Sequence, residues 1–144
     1  VSTPRCFYDD LHRHFAFDFD PTPLDPSFDG LTTEWGQSNY VNPPFSNIEP
    51  WLKRGIESGR QCVFLLPLRS NSRYWRTYVW PHVEALYFLT DGIQFVGYSR
   101  EWATPVVLAL FNARNGVLPH IDTLGGLRIA TTIPRRGSGN SAPV

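Results

Sequence analysis

The chain has 144 residues, 42% apolar and 15% aromatic, with 13 basic and 13 acidic side chains in formal balance. That length fits one domain with a real core, and that apolar fraction excludes an intrinsically disordered chain. No apolar run approaches the ~20 residues of a membrane helix, no signal peptide is visible, and the start at Val1 instead of Met leads to the expectation of a fragment or processed chain.

Thr3-Pro4 followed by Phe7, Leu11 and Phe15 predicts a first helix, with Thr3 as N-cap and Pro4 in the first turn. Residues 15–20 alternate and then meet Pro21, which predicts a strand ending at Asp20. Residues 21–37 are rich in Pro, Asp and Gly and read as loop. Asn39 to Val41 make a short strand stopped by Pro43-Pro44. Ile48, Trp51, Leu52 and Ile56 recur at helical spacing and predict a helix over 46–58, with Gly59 just past its end. Cys62 to Leu66 is a continuous apolar run of the kind found in a strand buried on both faces. A short amphipathic helix is expected over 70–80, then strands over 83–89, 93–98, 105–112 and 125–133. The polar tail from Pro134 is expected to be disordered, which leaves residues 1–133 as one domain. Strands alternating with helices, then a strand-rich end, predict an α/β fold of three layers with a mostly parallel sheet and an antiparallel C-terminal strand.

Charge is unevenly placed. Residues 1–50 carry 8 acidic side chains and 2 Arg, a balance of −6; residues 51–144 carry 11 basic and 5 acidic side chains, a balance of +6. All basic residues but Lys53 are Arg, the better bidentate partner of phosphate. The second half is either a solvated surface or a face that meets a polyanion. Cys6 and Cys62 have no metal-like spacing and read as reduced thiols of an intracellular protein. The four histidines form no ligand motif, so no metal is expected.

Asn42-Pro43-Pro44-Phe45 is the chemically informative stretch. Amino-group methyltransferases present such an Asn-Pro-Pro-aromatic sequence at a strand end. An exocyclic amine conjugated to its ring is a poor nucleophile, so two acceptors must hold its N–H hydrogens and draw the nitrogen towards tetrahedral geometry. The Asn42 side-chain oxygen and the Pro43 carbonyl are the candidate acceptors. Tandem prolines stiffen the loop, and Phe45 is the candidate stacking ring for a planar substrate. The plainer alternative is a Pro-Pro turn after a strand. Asp20, at another strand end, suits the ammonium of S-adenosylmethionine (SAM), with a turn role before Pro21 as its alternative. The Thr3-Pro4 helix start suits the donor carboxylate, with simple capping as its alternative. Tyr40 or Phe45 would support the adenine or the sulfonium.

Several of these stretches occur in an order that resembles the phage-type (Dam-like) DNA N6-adenine methyltransferases, a compact branch of the Rossmann-like SAM-dependent enzymes. They are Thr3-Pro4 with its helix, Phe17 to Asp20, Asp29-Gly30-Leu31 with Trp35, Val41 to Ser46, Pro50-Trp51, Leu65 to Arg69, Tyr74-Trp75, Phe88-Leu89 before Gly92, and Pro105 to Phe111. The resemblance spans about residues 3–112. It implies transfer of a methyl group from SAM to the N6 amine of adenine in DNA, with the base flipped into the Asn42–Phe45 loop. It places Thr3, Pro4, Asp20, Pro21, Asp29 and Tyr40 at the donor. Arg69, with Arg73 and Arg76 nearby, are the candidate DNA contacts. The chain departs from the pattern where Pro21-Thr22-Pro23 replaces a glycine-rich loop, and where Asp91 and Ile93 flank Gly92. RNA, cytosine or protein glutamine are alternative acceptors for the same motif. A catalytically silent nucleic-acid-binding module of a larger polyprotein is the alternative from another class.

Overall fold

The computed structural model describes residues 3–90 and 105–134. Helix α1 (Arg5–Phe15) leads through a long loop to β1 (Ser38–Val41), α2 (Glu49–Ser58) and β2 (Gln61–Pro67). A π-helical turn (Trp75–Val79) runs into the single turn α3 (Trp80–His82). Strands β3 (Ala85–Leu89) and β4 (Val106–Phe111) follow, then the hairpin β5 (Thr123–Leu124) and β6 (Leu127–Thr132).

These strands form one sheet in the order β1-β2-β4-β3-β6-β5. Only β1 and β2 pair in parallel, Ser38 opposite Gln61, around the crossover helix α2. Every other neighbouring pair of strands is antiparallel. This corrects the expected three-layer Rossmann-like fold with a mostly parallel sheet: the sheet is mixed and mainly antiparallel, and the chain carries more strand than such a fold. The physical reason is pairing at a distance. β4 enters between β2 and β3 and hydrogen-bonds antiparallel to both, Leu108 facing Leu65 on one side and Tyr87 on the other. Alternation of elements along the chain carries no information about such an insertion.

The centre of the sheet follows from period-two side chains. Val63 and Leu65 of β2, Val106, Leu108 and Leu110 of β4, and Ala85 and Tyr87 of β3 turn to one face, where Phe7, Leu11 and Phe15 of α1 cover them. Cys62, Phe64 and Leu66, Val107, Ala109 and Phe111, and Leu86 turn to the other, under Leu52 of α2 and Trp75 and Val79. Every residue of β2 and β4 is buried, as the continuous apolar run of β2 requires. α2 lies close to the sheet because Gly55 has no side chain: a Cβ there would stand 2.8 Å from the Phe64 ring.

Local expectations fared unevenly. α2 ends where expected, with Gly59 left-handed (φ 69°). Its start is three residues later than expected, because Pro44 to Asn47 form a turn closed by the Asn47 N–H to the Pro44 carbonyl at 3.0 Å. α1 runs through Phe15 and stops where Ala16 turns left-handed (φ 48°). The expected strand over 15–20 is thereby reduced to one parallel bridge, Phe19 with Asn39. The helix expected over 70–80 starts late and is mostly π-helical. The strand expected over 93–98, the positions flanking Gly92 and the tail after Pro134 lie outside the described residues.

Candidate active site

Three chain segments meet beyond the end of β1. The first is Phe19-Asp20, held beside β1 by the Tyr40 N–H to the Phe19 carbonyl at 3.2 Å. Asp20 then closes a turn: its Oδ1 accepts the Thr22 backbone N–H at 2.8 Å and the Thr22 hydroxyl at 3.1 Å. The same hydroxyl oxygen accepts the Asn42 backbone N–H at 2.9 Å. The second segment, Asn42 to Phe45, is thus tied to the Asp20 turn through one side chain. The third is Thr3, whose hydroxyl bonds the Tyr40 hydroxyl at 2.5 Å and accepts the Asn42 Nδ2 at 3.4 Å.

Thr3 therefore does not cap α1. Pro4 takes the N-cap position, and no side chain caps the helix. The Tyr40 ring is buried against Tyr8, edge to face at 5.2 Å, and against Phe17. Its hydroxyl alone reaches the site. Burial pushes the Tyr40 hydroxyl far above its ordinary value, and the nearby Asp20 charge adds to this. Tyr8 is raised by burial and then by Asp20 and Asp9. Burial also raises the Asp20 carboxyl, against the opposing effect of the two Thr22 hydrogen bonds. Asp20 Oδ2 accepts no hydrogen bond among the described residues.

A cleft of about 400 Å3 lies beside this cluster, with Pro21, Thr22, Phe28, Asp29, Asn42 and Pro43 among its walls. That size is within the usual range of small-molecule sites, roughly 300–1,000 Å3. Gly30 lets the walls close: a Cβ there would run into the Pro21 carbonyl and stand 2.8 Å from the Trp51 ring. Asp29 caps its own turn, accepting the Leu31 N–H at 3.0 Å. Pro43 is buried, Pro44 exposed, and Phe45 half-buried against both core clusters.

Thr3, Asp20, Tyr40 and Asn42 are therefore joined by hydrogen bonds, with Pro4 beside Thr3 at the start of α1, and Pro21, Asp29, Asn42, Pro43 and Pro44 line the cleft, whereas Phe45, the expected stacking ring, does not. The expected DNA contacts are not part of the cleft wall. Arg69 is exposed beyond β2. Arg73 pairs with Glu49 at the start of α2 at 3.2 Å, and Arg76 donates to the Asn71 carbonyl at 2.5 Å. Among the described residues no three His, Cys, Asp or Glu side chains gather as a metal would need. Sequence reasoning missed Thr22. Its only signal was a hydroxyl two residues after a strand-end Asp, the spacing of an Asx turn. No protein-family model, curated protein or solved structure matches the chain.

Proposed function

We propose that the chain is a SAM-dependent methyltransferase that acts on the N6 amine of adenine in DNA. The observation that carries this reading is the linkage Asp20–Thr22–Asn42–Thr3, which ties together three segments far apart in sequence, two of which line the cleft through Pro21, Thr22, Asn42 and Pro43. The residues present suit a cationic donor: Asp20 is a desolvated carboxyl with an oxygen that takes no bond among the described residues, and an ammonium would supply its counter-charge. When bound, SAM supplies an electrophilic methyl group. The protein's own part is positioning and electrostatics. Asn42 and the Pro43 carbonyl accept the amine hydrogens. The Pro-Pro backbone keeps those acceptors in place, and the Thr22 hydroxyl fixes the Asn42 backbone relative to Asp20.

Calorimetric titration of the purified chain with SAM tests the first half of this reading. Labelled donor with unmethylated duplex and single-stranded DNA tests the second. Saturable binding and label on adenine N6 are expected. A folded chain that binds no SAM overturns the reading, and label found only on RNA or protein moves it to another acceptor.

A further inference from the structure

A second cleft, about 580 Å3, opens between α2 and the loop that precedes β1. Lys53, Arg54 and Arg60 stand on its walls with Glu34, Glu57 and Trp35. Arg60 is satisfied there: it pairs with Glu34 at 3.2 Å and donates to the Trp35 carbonyl. Arg54 is not. Its guanidinium lies over the Trp35 ring, 6.0 Å from the centroid, and one Nη donates to the Thr33 carbonyl at 2.5 Å. Its Nε is buried with no acceptor, and among the described residues no carboxylate pairs with it. Lys53, one residue away and exposed, also forms no ion pair among them.

A half-buried guanidinium without a counter-ion is costly, because its remaining donors lose water without gaining a strong acceptor. A buried donor with no acceptor calls for an explanation, and an anion arriving from outside supplies one. The planar fork of Arg beside the point charge of Lys suits a tetrahedral phosphate oxyanion. Arg54 is already oriented by Trp35 and Thr33, so little side-chain freedom remains to be lost on binding. This cleft neighbours the one beside Asn42: Leu31 and Pro50 line the first, Gly30 and Trp51 the second.

We propose that this cleft is a phosphate-binding subsite, with Arg54 as its anchoring donor and Lys53 as its companion charge. The inference stands apart from the methyl-transfer reading and is tested without SAM. The shared chemistry is a phosphate oxyanion, from a nucleic-acid backbone or from a free phosphate or monoester.

The test titrates the intact chain with inorganic phosphate and, separately, with a 12-nucleotide single-stranded DNA over a series of salt concentrations. Arg54→Gln, Arg54→Lys and Lys53→Gln are compared with wild type, each with its urea midpoint measured. Arg54→Gln is expected to weaken binding about tenfold and lower the slope of log affinity against log salt by about 1. Arg54→Lys should recover the slope but only part of the affinity, since it keeps the charge and loses the fork. Lys53→Gln, exposed and structurally neutral, should weaken binding about threefold. Arg54-dependent binding of inorganic phosphate assigns a free anion; Arg54-dependent binding of the strand alone assigns a backbone phosphodiester. Equal binding by wild type and the Lys53 and Arg54 variants, or no binding of either probe by wild type, overturns the proposal.

Discussion

Asp18 and Asp20 lie two residues apart on the segment beside β1, and their environments drive them in opposite directions. Asp18, at the start of β1, accepts the Ser38 N–H at 2.9 Å and the Gln37 N–H at 3.2 Å. Those bonds, the one from Ser38 first, hold its carboxyl below its ordinary value. Around it the polar groups are closed on one another. Ser38 donates to the Phe15 carbonyl at 2.8 Å, Gln61 donates to the Ser38 hydroxyl at 2.7 Å, and Gln61 accepts the Arg114 N–H at 2.8 Å. Asp20, at the far end of the strand, is raised by burial and keeps an oxygen that takes no bond among the described residues. One end of β1 is a finished structural joint. The other holds an unsettled charge next to a cleft. Perturbation of the second kind, by desolvation without a counter-charge, marks a site better than perturbation by satisfied hydrogen bonds.

The strongest way to break this contrast is Asn42→Ala. If the open end is the catalytic end, turnover of labelled donor should fall by at least about 10²–10³, the usual cost of one oriented polar group. The SAM affinity and urea midpoint should change little. A fully active variant would remove Asn42 from the mechanism.

Asp20→Asn sharpens the contrast by separating charge from geometry. Asn can still accept both Thr22 bonds but offers no charge to an ammonium. SAM affinity should fall by about 1.5–3 kcal/mol, the range of hydrogen bonds to charged groups. Stability should move the other way. A carboxyl with its folded value raised binds its proton more readily in the native state, so stability falls as pH rises from the ordinary value of 3.8 through the raised one. Above the raised value that penalty is fully present, and there Asp20→Asn should remove it and raise the urea midpoint. Donor affinity of wild type should itself decline as pH is lowered through the raised value. A pH-independent affinity would show that Asp20 does not meet the donor's charge.

At the finished end, Gln61→Leu should leave methyl transfer intact and cost about 2 kcal/mol of stability, because the Arg114 N–H loses its acceptor and the buried Ser38 hydroxyl its donor, while the Phe15 carbonyl keeps only its bond from Ser38. Chemical denaturation measures this directly. A loss of activity at unchanged stability would mean that the two ends of β1 are not independent.

What could be read in the chain divides along the same line. β2 and β4 were legible because a strand buried on both faces must be apolar throughout, and Cys62 to Leu66 is. The end of α2 was legible because Gly59 takes a backbone conformation that favours glycine. The joining of Asn42 to Asp20 was inferred from strand ends, and the two do meet, but through Thr22, which no periodicity singles out. The strand expected at 15–20 failed because Ala16 turns left-handed and ends α1 there, a conformation unusual for alanine. The parallel sheet failed because the place of β4 is settled by distant pairing. Arg54 went unnoticed for a related reason. Helical spacing tells which side of α2 faces the sheet, but not whether a cation on its flank has a carboxylate within reach.

Thr22→Val is the smallest of these changes and the most discriminating. Valine matches threonine in shape but leaves the Asn42 N–H without its acceptor and Asp20 Oδ1 with one bond instead of two. The stability cost should be about 1 kcal/mol, as for an ordinary hydrogen bond. If Thr22 only shapes the turn, nothing further follows. If it holds Asn42 in register with Asp20, kcat should fall several-fold while the KM for DNA stays put, since misplacement of an acceptor acts on the transition state more than on binding. Thr22→Ser, which restores the hydroxyl, should rescue kcat. Failure of that rescue, with the stability restored, would separate the joint from the chemistry and leave Asn42 positioned by its prolines alone.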